Sequence, residues 1–220
     1  MASSFVKGKA YFDGVNGRLT LADSADWDFG SGNFTAEAIF TLDSISSTLY
    51  QHIIMQRGSF NSNYAYGIQF TTTSDGNCPR FVYTLDGSTA LGFSFTDLPL
   101  TASTKYNIVI QRTGTKIECY LNGVKSSLFL NISTSSLYNS SAVMVVGSTN
   151  NNGFLFGFLF GLKVTKGLAR YTTNFTAPTE FTNDANTVLC MNFVEPIGST
   201  TFIDETGKTV TTVGNVVIVV

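Results

Sequence analysis

Apolar and polar residues alternate with a period of two through most of the chain, in short runs. Helical spacing of apolar positions is nearly absent, and clusters of Gly, Asn, Asp and Ser separate the runs. Successive side chains of a strand point to opposite faces, so this pattern reads as antiparallel strands joined by tight turns. It predicts strands at 9–13, 17–21, 33–42, 50–57, 64–71, 79–85, 89–95, 105–112, 115–121, 124–130, 142–147, 154–165 and 187–194. The clearest hairpin is KIECYLNGVKSSLFL, because Asn122-Gly123 suits a type I′ turn, in which both central residues take positive φ. Thr113-Gly114 marks a similar turn just before it. Many short strands at close spacing predict an all-β, antiparallel sandwich. The chain ends in a bare β-prone strand, Val216, Val217, Ile218, Val219 and Val220. An uncovered strand edge invites aggregation. These residues are therefore expected to pair inside the sandwich, the favoured arrangement, or to form an interface with a neighbouring subunit.

Composition narrows the choices. A single domain of this length buries roughly 70% of its unfolded surface, enough to fold without disulfides or metal. The expectation is one domain over 1–220, with 195–220 a C-terminal extension ending in the strand. Only 13% of residues are charged against 43% apolar, and 19 are Phe, which excludes global disorder. A net charge of −2 without a basic cluster lacks the footprint that nucleic-acid binding needs. No continuous apolar run is long enough to insert in a membrane, and MASSFVKGKAYF has no signal-peptide core. Synthesis in the cytoplasm without a signal peptide is expected. The cysteines, Cys78, Cys119 and Cys190, have no metal-binding spacing. Cys119 and Cys190 fall in alternating strands as buried hydrophobes, whereas Cys78, in SDGNCPR, is expected to be the exposed thiol.

Three stretches carry family character. KVTKGLARYT at 163–172, following the hydrophobic strand 158–164, resembles the closing segment of laminin-G-like, concanavalin-A-type domains in the form found in tailed-phage proteins. Residues 10–42 resemble the opening of that family, with Phe-Asp-Gly ending a strand and Phe-Thr-x-Glu leading a longer one. YNIVIQRTGTKIECYLNGV resembles its central hairpin, without the tryptophan usual near Tyr106. The tail TVLCMNFVEPIGSTTFIDETGKTV resembles a lead-in that usually precedes such domains, and here it comes last. The resemblance implies a jelly-roll sandwich of the concanavalin A-like, laminin G-like kind. It also implies a virion protein of a bacteriophage, located in the capsid or tail.

A fold of this kind hosts hydrolases, lectins and purely structural proteins, so its role rests on residues. Glycoside hydrolysis needs two carboxylates across the scissile bond. The Glu-x-Asp-x-x-Glu of sandwich-type enzymes is missing, Glu37 stands alone, Glu118 is expected to face solvent, and Glu180, Glu195 and Glu205 fall in loops. The single histidine, His52, sits among apolar strand residues and reads as structural. No GxSxG elbow, Walker A or GxGxxG motif follows a strand. No catalytic residue and no cofactor are therefore expected, with calcium the one ion the family resemblance admits. Its candidate oxygens are Asp75, Asn77, Asn150 and Asn151, although Asp-Gly and Asn-Gly pairs also serve simply as turns. Sugar stacking needs exposed aromatics, and Phe60, Tyr64 and Tyr66 in SFNSNYAYG, beside Asp75 and Asn77, form the candidate loop. Trp27 is expected to cover one end of the core. Two functions follow. The leading one is a non-enzymatic virion structural protein, a capsid decoration or cement component, in a homotrimer. The other is an adhesin that attaches the particle to a host surface glycan.

Overall fold

A strand whose alternate residues are Phe, Ile, Leu or Ala buries one face only if a second sheet covers it. The computed structural model, which describes residues 8–45, 50–58, 62–71, 76–149 and 152–220, satisfies this with two sheets. Among the described residues there are fifteen strands. In chain order they are β1 (Lys9–Asp13), β2 (Arg18–Leu21), β3 (Phe34–Leu42), β4 (Gln51–Arg57) and β5 (Tyr64–Phe70). Next come β6 (Pro79–Tyr83), β7 (Leu91–Ser94), β8 (Tyr106–Thr113), β9 (Lys116–Leu121) and β10 (Val124–Asn131). The last are β11 (Met144–Val146), β12 (Phe156–Lys166), β13 (Thr187–Met191), β14 (Val210–Val213) and β15 (Val216–Val219). One sheet has eight strands in the order β10-β9-β8-β3-β12-β1-β15, with β13 also paired to β12. The other has seven, β14-β2-β11-β4-β5-β6-β7. All pairings are antiparallel.

The space between the sheets is filled by one continuous core. Phe40 stacks on Phe70 at 4.6 Å and Phe29 on Phe34 at 4.4 Å, each pair adding specific geometry to plain burial. Trp27 closes one end, as the sequence suggests, and its indole N–H donates to the Ala22 carbonyl. Arg112 is the exception in this region, a guanidinium only 1% exposed. It donates to the carbonyls of Gly114 (2.9 Å), Gly30 (3.2 Å), Ser135 (2.8 Å) and Ser133 (3.0 Å). One side chain thereby satisfies four loop carbonyls, and desolvation lowers its pKa.

Across β3, β8 and β9 the outer face of the eight-stranded sheet is covered by the segment after β12. Tyr171 donates its hydroxyl to Glu37 (2.7 Å), its amide to Gln111 (3.1 Å), and accepts the Tyr120 hydroxyl at its carbonyl (2.9 Å). Arg170 bonds Asp184 at 2.6 Å, and Phe175 stacks on Tyr171 at 3.7 Å. The residues that carry the family resemblance, Lys163 to Thr172, thus act here as a strap. Glu37 is its anchor; burial raises the pKa of this carboxyl, against the lowering pull of the Tyr171 bond and of Lys163 and Arg170. Glu118 lies under the same strap rather than in solvent, paired to Lys125 at 2.8 Å.

The Asn122-Gly123 turn has φ of 51° and 79°, the type I′ signature. The preceding turn falls one residue later than expected, on Gly114-Thr115, because Thr113 still pairs with Lys116. Gly114 alone takes positive φ there (60°), which suits type II′. Cys78 is a correction. It is fully buried against Thr71, like Cys119 and Cys190, because β6 begins immediately after it and draws it into the sheet. Burial pushes the Cys190 thiol up to about 12 and the Cys119 thiol upward as well.

The C-terminal residues enter both sheets. β14, which alternation did not reveal, pairs with β2, while β15 pairs with β1. Val216 and Ile218 are buried in the core. The far edge of β15 is also occupied: Ile218 donates to the Ser199 carbonyl and accepts from Gly198. The terminal strand is therefore paired within the molecule. This is the favoured of the two arrangements expected for it, rather than an interface with a neighbouring subunit, and the backbone groups that a neighbour would need at Ile218 are already bonded.

Candidate functional site

Beyond the strap, Tyr11 and Phe158 on the outer face of the eight-stranded sheet are half-buried; on the outer face of the seven-stranded sheet the outward side chains gather around a cleft. Register places them in cross-strand rows. His52, Gln69, Arg80 and Ser94 stand side by side across β4, β5, β6 and β7, and Met55, Gly67, Val82 and Gly92 form the next row. Arg57 pairs with Tyr64 beyond them. Gly67 and Gly92 contribute no side chains, so Met55 and the Arg80 guanidinium lie across them. Apart from Ser94 and the two glycines, these residues line a cleft of about 360 Å³ together with Tyr50, Ala90, Leu91, Thr149, Asn152 and Gly153. That volume is at the lower end of the range for small-molecule sites.

Its floor is tightly organised. His52 Nδ1 lies 3.0 Å from the Gly153 carbonyl and Nε2 lies 2.9 Å from Gln69 Oε1. Desolvation lowers the ring pKa to about 4, so His52 is neutral at pH 7. A neutral ring has one donor, which the carbonyl takes at Nδ1. Nε2 is then the acceptor, and Gln69 must turn its NH₂ toward it. Histidine and glutamine are thereby locked as parts of the floor. Burial likewise pushes the Tyr64 phenol upward, with Arg57 pulling it back. Arg57 lies 5.4 Å from the Tyr64 ring centroid, and Arg80 lies 5.9 Å from that of Tyr50. Tyr50 and Leu91, each 40% exposed, form the apolar rim.

The sugar-stacking residues expected from the sequence are only partly where they were sought. Phe60 and Asp75 lie outside the described residues, as do Asn150 and Asn151. Tyr66 is corrected outright: it is 3% exposed, stacks on Phe29 and donates its hydroxyl to the Trp27 carbonyl inside the core. Tyr64 lines the cleft but is only 4% exposed, so it serves as wall rather than platform. Two residues apart, the pair should share a face. A bulge in β5 opposite Gln56 and Arg57 turns Ala65 and Tyr66 inward instead. Asn77 occupies a turn at φ 51°, and its carbonyl accepts the Leu100 amide at 2.7 Å. Its side-chain oxygen is buried without a hydrogen-bond partner among the described residues. No group of three or more His, Cys, Asp or Glu is placed to hold a metal among the described residues. Sequence reading missed Tyr50, Arg57, Gln69 and Arg80; the usable signal was alternation in PRFVY, where Arg80 and Val82 oppose inward Phe81 and Tyr83.

No family model and no curated relative matches the sequence. Solved structures do resemble the fold. A Bacteroides ovatus protein described as carbohydrate binding superposes with a TM-score of 0.67 at 13% identity, over 96% of this chain and 60% of that one. The chain thus spans less than two thirds of that protein. The heptameric SAP-like pentraxin of Limulus polyphemus gives 0.56 at 14% identity, over 96% of both chains. Domain 4 of AbnA, a GH43 extracellular arabinanase of Geobacillus stearothermophilus solved with arabinotriose, gives 0.54 at 13%, over 72% of this chain and 70% of that one. None of these three points to a phage origin. At such identities the likeness establishes the fold alone, an antiparallel jelly-roll sandwich like that of the pentraxin.

Proposed function

We propose that the chain is a non-enzymatic glycan-binding sandwich whose ligand lies in the cleft above the His52–Gln69–Arg80 row. The cleft itself carries this reading. A saccharide offers apolar C–H faces and a rim of hydroxyls. Tyr50 and Leu91 suit the first, and Arg57, Arg80, Thr149 and Asn152 suit the second. The locked His52–Gln69 floor supplies the preorganisation that reduces the entropy lost on binding. Support also comes from the similar structures named for carbohydrate binding or solved with arabinotriose. Binding without hydrolysis is favoured because the described cleft lining includes no Asp or Glu, let alone the pair that glycoside cleavage needs. The test is a saccharide array followed by calorimetry on wild type and Tyr50→Ala. Saturable binding, weakened about fivefold or more by loss of the exposed ring, is the expected result. An array without a single saturable saccharide would overturn the reading.

A second reading concerns setting. We propose a tailed-phage virion, on the resemblance of Lys163 to Thr172, with the chain displayed on capsid or tail after synthesis in the host cytoplasm. A role as decoration or cement protein in a homotrimer is supported by the exposed apolar Val194, Ile197 and Ile203, which suit contact with another protein. Co-sedimentation with capsids stripped of accessory proteins, beside intact host cells, separates the two roles. Stoichiometric capsid binding supports decoration; cell binding competed by free saccharide supports an adhesin.

A further inference from the structure

We infer that the outer face of the eight-stranded sheet beyond the strap is a contact between two copies of this chain, packed face to face about a twofold axis. This surface is opposite the cleft and independent of the glycan reading. Apart from glycine, every residue from Leu155 to Leu162 is Leu or Phe, so β12 is apolar on both sides, the pattern of a strand covered on both. Leu155, Leu159 and Leu162 lie in the core. Phe156, Phe158 and Phe160 face outward and are half-buried. Of these three, only Phe160 packs against the cluster of Ile39, Phe181 and Cys190 under the strap, among the described residues.

Register orders this face in three rows. The middle row, Val217, Tyr11, Phe158 and Thr41, crosses β15, β1, β12 and β3, with the Tyr11 and Phe158 ring centroids 5.2 Å apart. On one side of it Asp13 pairs with Phe156, whose carbonyl accepts the Asp43 amide at 2.9 Å. On the other side Lys9 pairs with Val219, its ammonium 4.5 Å from the Phe158 ring centroid. The face is therefore acidic at one end, aromatic in the middle and basic at the other. A twofold axis along the middle row sets each residue of that row against its own copy and lays the Lys9 end over the Asp13 end of the second copy. Such a surface is complementary to itself, whereas a different protein would have to supply the same pattern in reverse. Sugar stacking fits less well, because ammonium groups lie over two of the rings, Lys9 over Phe158 and Lys105 over Phe160 at 4.0 Å. The three rows span about 14 Å across the strands and about 14 Å along them. That is well short of the roughly 800 Å² per partner of a standard interface, so the dimer is weak and forms only at high concentration.

Sedimentation velocity of the full chain from about 5 to 500 μM covers the range in which a contact of this size associates. The expected result is a reversible rise from monomer toward dimer that weakens as NaCl increases. Lys9→Glu sets like charges against each other and should weaken self-association at least about tenfold, with circular dichroism and denaturant midpoint unchanged. Adding Asp13→Asn to that variant removes the repulsion and keeps the side-chain oxygen that caps the turn after β1, so part of the association should return. A short bis-maleimide should cross-link Thr41→Cys to itself, since that residue lies on the axis, and should leave Val15→Cys, 69% exposed but outside the face, as monomer. A chain that stays monomeric throughout overturns the proposal. So does self-association that ignores Lys9→Glu and disappears in Ile197→Asp, which would place the contact at Val194, Ile197 and Ile203 instead. Either result leaves the glycan reading to its own saccharide array.

Discussion

His52 offers a quantitative check on the cleft floor. Its ring is buried, bonded at both nitrogens and neutral, with a folded pKa near 4 against 6.5 for the free side chain. The folded pKa is depressed, so the unfolded chain binds more protons between those values. The stabilisation associated with a neutral ring is therefore complete above about pH 6.5 and is lost as pH falls through 4. A difference of this size corresponds to about 3 kcal/mol between the two ends of the window, with about 2 kcal/mol already lost at pH 5. His52→Gln removes the titration while keeping a polar side chain. Urea unfolding of wild type and variant at pH 7, 6, 5 and 4.3 gives two stability curves. Carboxylates such as Asp184, held down at about 2 by Arg170 and its other hydrogen bonds against desolvation, weaken the fold only at lower pH and do so in both proteins. The variant starts lower at pH 7, because the Gly153 and Gln69 bonds are disturbed, and its curve should then be flatter by about 3 kcal/mol. Parallel curves across pH 7 to 4.3 would show that the ring is not buried and neutral as described, and would remove the argument for a locked floor.

Two other perturbations address the frame. Arg112→Met keeps volume but removes the partner of four part-buried loop carbonyls, and should cost about 1–3 kcal/mol in chemical denaturation. A loss below about 1 kcal/mol would mean that water reaches those carbonyls. Deleting residues 214–220 removes Val216 and Ile218 from the core, about 3–6 kcal/mol of apolar burial, together with the ladder to β1. The truncated chain should show this loss as a monomer, by circular dichroism and denaturant midpoint; undiminished stability would return the strand to the role of an intersubunit contact.

Most of the frame was readable before any coordinates, because half-buried antiparallel strands make alternation an almost direct record of burial. Strand β3 and the β9–β10 hairpin fall where the pattern puts them, and Asn122-Gly123 has the dihedral angles its composition demands. What was not readable has a shared cause. Tyr66 and Tyr64 part company at a bulge, and a bulge leaves no mark in a hydrophobic pattern. β14, VTTV, lies at a sheet edge and shows too little burial to alternate clearly. Arg57 and Arg80 are far apart in sequence and stand in different cross-strand rows, and only the packing of β4, β5 and β6 side by side brings both to one cleft. Alternation reports which face a residue takes; it says nothing about which residue stands beside it on the adjacent strand.

The two outer faces of the sandwich then argue differently about function. On the eight-stranded sheet, the polar groups Glu37, Gln111, Glu118 and Tyr120 are bonded to the strap or to one another. Each is accounted for by the need to satisfy buried polar groups, so none requires a ligand to explain it. On the seven-stranded sheet, His52 and Gln69 are satisfied in the same way, by each other and by Gly153. The side chains above them are of another kind. Tyr50 and Leu91 remain substantially exposed, and Arg80 is laid across a glycine that a larger residue could not replace without moving it. Leaving Tyr50 and Leu91 open over a rigid floor is a cost to the fold that ligand binding would offset, and it directs functional mutagenesis to the rim of this cleft before any residue of the strap.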